Sequence, residues 1–405
     1  MRLARHCGWY WAAPVAVIYI YSSTSICAAA TFTGIGDIPG GEFSSGATDV
    51  SADGMIVVGG GSAISGNVAI YWTRQTGLVA LPRVPFNTNA SVSAFAISAD
   101  GSTIVGRAAA NGDHGGFEAF MWTAAGGTIS LGDLPGGIYG SAATEVSADG
   151  STIVGFANDS TGRVTMIWTK EHGMQRLGGP ASDLHFSSDS ASAVSANGSV
   201  VVGNTGASNK SIEAFRWTAV EGLTELGHLP GSELGQNRVS FAADVSTDGS
   251  TIVGTSRTSP LLAFQGEAYR WTSATGMVGL GYLPGGLTFS RANATSADGS
   301  VVVGESWTDA GEEAFRWTEA LGMQSLRELL IASGIDMTGW KLRGAAATSA
   351  DGTVIVGYGT NPAGHSEGWI ADLRTVPEPS SVTHVAWLCC GVLTFYAARR
   401  RRGRA

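Results

Sequence analysis

Cysteine is almost missing from this 405-residue chain. Cys7 and Cys27 lie near the N-terminus, Cys389 and Cys390 near the C-terminus, and residues 31–373 hold none. That stretch is held together without disulfides and offers no thiolate to chemistry or zinc. Charge is sparse too, at 14 % of residues. It also runs one way: 32 of the 33 acidic residues and 17 of the 24 basic ones lie between the two ends, a net charge near −15. Nucleic acid and anionic lipid both need a basic surface, so neither is an expected partner of this stretch. Its histidines, His114, His172, His185, His228 and His365, never pair at metal-ligand spacing, so no metal and no cofactor is expected. What is abundant is glycine, 58 residues, within a chain that is 44 % hydrophobic. This excludes disorder and suits short strands joined by tight turns.

The ends differ from the middle. Residues 1–30 read as a secretory signal. Arg2, Arg5 and His6 begin it, Gly8 to Tyr21 is mostly apolar, and Ala28-Ala29-Ala30 supplies the small residues a signal peptidase needs. Cleavage is expected after Ala30. Thr24-Ser25-Ile26 before Cys27 does not form a lipobox. Residues 374–381 form a linker containing Pro377-Glu378-Pro379, and residues 382–398 carry no formal charge. As a transmembrane helix, at ~1.5 Å per residue, that segment barely spans a bilayer core. The tail 399–405 carries Arg399, Arg400, Arg401, Arg402 and Arg404, which should stay cytoplasmic and leave the middle of the chain outside.

That middle is a repeat. The tetrad Ser-Ala-Asp-Gly, or a near copy, begins at Ser51, Ser98, Ser147, Ser195, Ser246, Ser296 and Ser349, at steps of 47 to 53 residues. Each unit reads as four strands. The first precedes the tetrad, whose Asp-Gly makes a tight turn. The second is β-branched and buried on both faces, as in Val301-Val302-Val303-Gly304. The third is Glu213-Ala214-Phe215-Arg216-Trp217-Thr218 and its echoes, with Phe215 and Trp217 on one face. The fourth ends in a turn such as Leu134-Pro135-Gly136-Gly137. Seven such units predict an all-β, seven-bladed β-propeller of four-stranded antiparallel blades over 31–373, sharing a hydrophobic interior. The stretch starts with a lone fourth-strand copy at 34–41 and ends with a third-strand copy at 367–372. The N-terminal strand is therefore expected to complete the last blade and remove an open edge. One unit departs from the rest: Arg327 to Gly334 reads as a short amphipathic helix stopped by glycine.

The units resemble the HAF-family extracellular repeat, through Gly155, Glu118-Ala119-Phe120-Met121-Trp122 and Leu131-Gly132-Asp133-Leu134-Pro135-Gly136-Gly137. The family's first-position histidine is mostly glutamate here. The resemblance implies export and a repeat fold, with no assigned chemistry. The C-terminus resembles a PEP-CTERM sorting signal, with Pro377-Glu378-Pro379 as motif, 382–398 as helix and Arg399 to Arg402 as basic end. This resemblance implies processing by an exosortase-type membrane protease, a transient inner-membrane anchor before that step, and delivery to the cell surface or an exopolysaccharide matrix.

No asymmetric catalytic constellation is legible. Asp53, Asp100, Asp149, Asp248, Asp298 and Asp351 recur in every unit but one, so they read as turn caps, since catalysis needs a site that differs from its copies. Glu118, Glu213, Glu267, Glu313 and Glu367 begin third strands and read as solvated rim residues. Trp72, Trp122, Trp168, Trp217, Trp271 and Trp317 keep one strand position and read as packing between blades. Trp307, Trp340 and Tyr139 fall outside the pattern and are better candidates for a binding platform. The expectation is an exported, non-enzymatic binding or structural module for an extracellular polysaccharide or surface protein. The alternative is a secreted polysaccharide-active enzyme with a propeller active site. Carboxylates clustered in a central pocket would favour the enzyme, a featureless channel the binding module.

Overall fold

The chain is described by a computed structural model covering residues 30–374, apart from 65, 85–86, 88–90, 111–115, 179–189, 207–211, 231–238 and 258–265. Ala28, the sorting motif and the arginine tail lie outside the described residues. So do the transmembrane segment, His114 and His185. No helix among the described residues is long and apolar enough to cross a membrane.

Seven four-stranded antiparallel sheets form the blades of a propeller. Blades 1 to 6 each take four consecutive strands, beginning with Ser45–Val50 and ending with Gly322–Ser325. Blade 7 joins Lys341–Thr348, Val354–Thr360 and Ser366–Asp372 to the N-terminal strand Thr31–Gly34. Thr31 faces Asp372 and Gly34 faces Trp369 across this closing pair. The closing strand thus sits just ahead of the 34–41 copy. Positive φ at Gly36 and Gly40, and the missing N–H of Pro39, turn that copy out of the sheet and toward blade 1.

The inner strand of every blade carries a bulge, between Ala143 and Glu145 in blade 3 for example. Second-strand glycine makes room for it. A Cβ on Gly155 would lie 2.0 Å from the carbonyl oxygen of Ala142, and one on Gly304 1.9 Å from that of Arg291. Opposite that glycine, in five blades, the third strand places a buried aromatic residue. Phe120, Phe215, Tyr269, Phe315 and Trp369 pair with Gly106, Gly203, Gly254, Gly304 and Gly357, and all five are buried.

The tetrads ring one end of the axis. In blade 2 Ser98 Oγ donates to Asp100 Oδ1 at 2.6 Å, and the same oxygen accepts from Ser102 N–H at 2.9 Å. Ser98 Oγ also accepts from Thr103 N–H. The other blades repeat this, with Asn197 replacing aspartate in blade 4. The tetrad's second residue then donates its N–H to the same residue one blade on: Ala52 to Ala99, Ala148 to Ala196, Ala196 to Thr247, Thr247 to Ala297, Ala297 to Ala350 and Ala350 back to Ala52. Tetrad glycine seats each blade on the one before. It has positive φ, and a Cβ on Gly101 would lie 2.6 Å from the Ile56 side chain.

The apolar interior is not shared around the axis. It is cut into wedges between adjacent sheets, such as Val58, Ala69, Ile104 and Phe120 between blades 1 and 2. Each wedge takes the inward face of one blade and the outward face of the next, because a sheet buried on both sides must meet a neighbour on each. The largest wedge joins blades 6, 7 and 1 and includes Leu326 and Leu330. These belong to the helix Leu326–Ala332, capped by Ser325 Oγ, which accepts from Glu328 N–H at 3.1 Å.

Candidate functional site

The axis is polar. A cavity of about 260 Å³ runs along it, walled by the inner strands and open past the small tetrad residues Ala52, Ala99, Ala148, Ala196, Ala297 and Ala350. Asp49, Glu145 and Asp244 line this cavity, from blades 1, 3 and 5. Each follows a bulged residue, Thr48, Thr144 or Ala243, and the bulge turns the carboxylate toward the axis.

The two aspartates are held alike. Asp49 accepts from its neighbour Val50 N–H at 2.7 Å and from Ile97 N–H of blade 2 at 2.8 Å. Asp244 accepts from Val245 N–H at 2.7 Å and from Thr295 N–H of blade 6 at 2.8 Å. Both oxygens of each are occupied, and each side chain ties two blades. Glu145 is one methylene longer and differs: Oε1 accepts from Val146 N–H at 2.9 Å, and Oε2 has no hydrogen-bond partner among the described residues.

All three line the cavity half-buried, and desolvation by the surrounding protein dominates their titration. It raises Asp49 to about 7 against the pull of its two N–H donors, with the charge of Asp244 adding to the rise. It raises Asp244 to about 6. Glu145 is pushed well above the usual carboxylate range by burial first and then by the charges of Asp49 and Asp244. Three carboxylates about one axis cannot all ionise cheaply, so the set retains a proton near neutrality. Glu145, with its free Oε2, is placed to present that proton to the cavity.

The sequence reading passed over these residues, although the repeat contains their signal. Two positions before the tetrad serine the units read Asp49, Ala96, Glu145, Ala193, Asp244, Ala294 and Ala347. Acid alternates with alanine at one aligned position, which is the asymmetry that catalysis requires.

The expected candidates lie elsewhere. Asp53, Asp100, Asp149, Asp248, Asp298 and Asp351 accept the tetrad hydrogen bonds given above, and those bonds hold Asp100, Asp149, Asp248 and Asp298 below the usual aspartate range. The third-strand glutamates are not merely solvated. Each ties its strand to the fourth strand or to the turn after it. Glu367 accepts from Gly36 N–H at 2.9 Å and Asn361 Nδ2 at 2.7 Å, and Glu267 from Gly281 N–H at 3.0 Å. Glu118 accepts from Ser130 Oγ, Glu313 from Ser325 Oγ, and Glu213 lies 3.7 Å from His228 Nδ1. The six recurrent tryptophans are partly buried against the wedges. Trp307 and Trp340 line one groove between blades 6 and 7; Tyr139 is exposed and apart from it. No group of three or more metal-ligating side chains occurs among the described residues.

The chain matches no protein-family model and no curated protein sequence. Its fold is similar to solved propellers. With oligogalacturonate lyase from Vibrio parahaemolyticus it shares 12 % identity over 86 % of this chain and 98 % of that one, at a TM-score of 0.53. With a puromycin-hydrolyzing peptidase of Mycobacterium tuberculosis it shares 14 % over 81 % and 52 %, at 0.52. With TolB from Acinetobacter baumannii it shares 11 % over 66 % and 62 %, at 0.45. The chain thus spans 62 % of that TolB and about half of the peptidase. The expectation that the chain is not an enzyme is corrected here. Two propellers of this fold are enzymes by name, so the fold gives no ground for excluding an enzyme, and three carboxylates line the axial cavity.

Proposed function

We propose that this seven-bladed propeller is an exported polysaccharide-active enzyme whose active site is the axial set Asp49, Glu145 and Asp244. One observation carries the reading: three carboxylates from alternate blades meet in one cavity, and the longest, Glu145, keeps a free oxygen and a raised proton affinity. Glycoside cleavage needs one protonated carboxylic acid to protonate the departing oxygen and one carboxylate to act as base or nucleophile. Glu145 suits the acid. Asp49 and Asp244, oriented by two N–H donors each, suit the carboxylate role. A cavity of about 260 Å³ admits a chain end rather than an internal stretch of polymer, so cleavage releases small products.

Export is part of the proposal. The signal-like residues 1–30 and the Pro377-Glu378-Pro379 and Arg399 to Arg402 tail support it, with signal peptidase and an exosortase-type protease as processing partners. Mass spectrometry of the secreted form should find it starting after Ala30 and lacking Arg399 to Arg402.

The test of activity is a hydrolysis screen of extracellular polysaccharides with wild type and Glu145→Gln. General-acid loss should lower kcat about 10²–10⁴-fold with little change in KM. Cleavage that survives Glu145→Gln at full rate would remove the axial site from consideration.

A further inference from the structure

The carboxylate ring has a companion one residue earlier in each inner strand, at the bulge itself. Blades 1, 3, 4, 5 and 7 carry threonine, threonine, serine, alanine and alanine there; blade 2 carries Phe95 and blade 6 carries Asn293. Both exceptions line the axial cavity. Blades 2 and 6 stand almost opposite each other in a ring of seven, so the two residues flank the cavity from opposing sides.

Asn293 fills a threonine's place and has an atom to spare. Thr48 Oγ1 donates to the Ala94 carbonyl of blade 2 at 3.2 Å, and Thr144 Oγ1 to the Ala191 carbonyl of blade 4 at 3.0 Å. Asn293 Nδ2 makes the same bridge, to the Ala345 carbonyl of blade 7 at 2.8 Å. That bond fixes the amide. It leaves Oδ1, which accepts no hydrogen bond among the described residues, as an acceptor for whatever enters the cavity. Phe95 is the one aromatic residue lining the cavity among the described residues. It is half-buried, and the Arg107 guanidinium of the same blade, 5.5 Å from its ring centroid, steadies it. An apolar ring on a polar axis gains from a flat apolar partner.

A sugar ring offers both matches, a C–H face for the phenyl ring and a hydroxyl edge for the amide oxygen. Charge narrows the choice. No lysine, arginine or histidine lines the cavity among the described residues, so a uronate or sulfated unit would meet carboxylates and no cation. A cationic amino sugar finds no free oxygen on Asp49 or Asp244, which already accept N–H bonds on both.

We propose that Phe95 and Asn293 form the recognition subsite of the axial cavity, and that it takes an uncharged hexopyranose unit, its ring stacked on Phe95 and one of its hydroxyls donating to Asn293 Oδ1. That this unit is the end of a chain being cleaved rests on the proposed activity at Asp49, Glu145 and Asp244; the subsite itself rests on the two exceptional bulges.

The experiment is calorimetric titration of the Glu145→Gln protein, which holds ligand without turning it over. Trimers of glucose, galactose, mannose and N-acetylglucosamine are compared with trimers of galacturonate and of glucosamine. At least one uncharged trimer should bind, at least ~10-fold more tightly than either charged one. Phe95→Ala should weaken that binding about 10-fold. Phe95→Leu and Phe95→Tyr guard against misfolding: both keep the apolar bulk and the thermal midpoint, but the first should lose most of the affinity and the second retain it. Asn293→Thr restores the bridge that Thr48 and Thr144 make, so it should keep the thermal midpoint while weakening binding about 5-fold. No binding of any uncharged trimer, a charged trimer binding within the stated margin, or affinity unchanged in either Phe95→Leu or Asn293→Thr would overturn the proposal. The two readings fail separately. If wild type cleaves none of these trimers while binding still depends on Phe95 and Asn293, the axial activity falls and the subsite stands. If wild type cleaves, through Glu145, a polymer whose trimer binds regardless of Phe95 and Asn293, the reverse holds.

Discussion

Two rings circle the same axis, two residues apart along the chain. The tetrad ring repeats serine, an acidic or amide side chain and glycine in all seven blades, and its hydrogen bonds are nearly identical from blade to blade. The bulge ring above it is uneven, acidic at Asp49, Glu145 and Asp244 and alanine in the other four blades. The tetrad aspartates Asp100, Asp149, Asp248 and Asp298 sit near solvent and are held below their usual range. The bulge carboxylates are desolvated and held above it. The same functional group thus takes opposite proton affinities within a few ångströms of chain. A residue that every blade repeats supports the blade, and a residue that breaks the repeat is free to do chemistry.

The largest effect should come from breaking what both rings depend on, the closed circle. Deleting residues 31–35 removes the outer strand of blade 7 and uncovers Trp369. The variant should lose its cooperative thermal transition and associate through the exposed edge. A transition within about 5 °C of wild type would show that the circle holds without that strand. Next comes the bulge itself. Gly155→Ala drives a Cβ against the Ala142 carbonyl and should cost about 3 kcal/mol in denaturant unfolding. Gly77→Ala, at φ +65° with nothing within 4 Å, should cost only about 1 kcal/mol. Equal costs would mean that the bulge relaxes.

A smaller effect separates the rings directly. Asp149→Ala loses two tetrad hydrogen bonds and should cost about 1 kcal/mol. Glu145→Gln should cost nothing near neutrality, because it removes a desolvated acid. The smallest effect is in pH. The bulge carboxylates keep protons that the unfolded chain has lost, so their contribution falls as pH rises from about 4 through about 7. Asp100, Asp149, Asp248 and Asp298 act oppositely, and their contribution is lost as pH drops through their lowered values. The unfolding midpoint should therefore be higher near pH 5 than near pH 8, and Glu145→Gln should narrow that difference. An unchanged difference in the variant would mean that Glu145 titrates as an ordinary surface acid.

Much of the fold was legible before any coordinates. Tetrad spacing marks seven units, Val301-Val302-Val303 and its copies mark the doubly buried strand, and the unpartnered third-strand copy at 367–372 calls for an N-terminal partner. The helix read at Arg327 to Gly334 forms at Leu326–Ala332. The site is less legible, because its residues do not recur in every unit. Glu118 and Glu367 stand out by repetition, and they bind a fourth-strand serine and a turn respectively. Glu145 stands out only when units are compared and the exception is sought. Its environment was also hidden: burial of a carboxylate beside two others arises from bulges in three separate blades, which no local spacing reveals.

Closure also sets a clock on assembly. Glu367 receives the N–H of Gly36 across 331 positions, and Thr31 finds its partner only at Asp372. The earliest strand must therefore wait, unpaired, until nearly the whole polypeptide has been made. Contacts this distant in sequence form slowly, so the newborn chain passes through a long interval with one sticky edge at each end. Any helper that shields those first residues during synthesis would raise the yield of finished rings, and any pause before residue 366 would lower it.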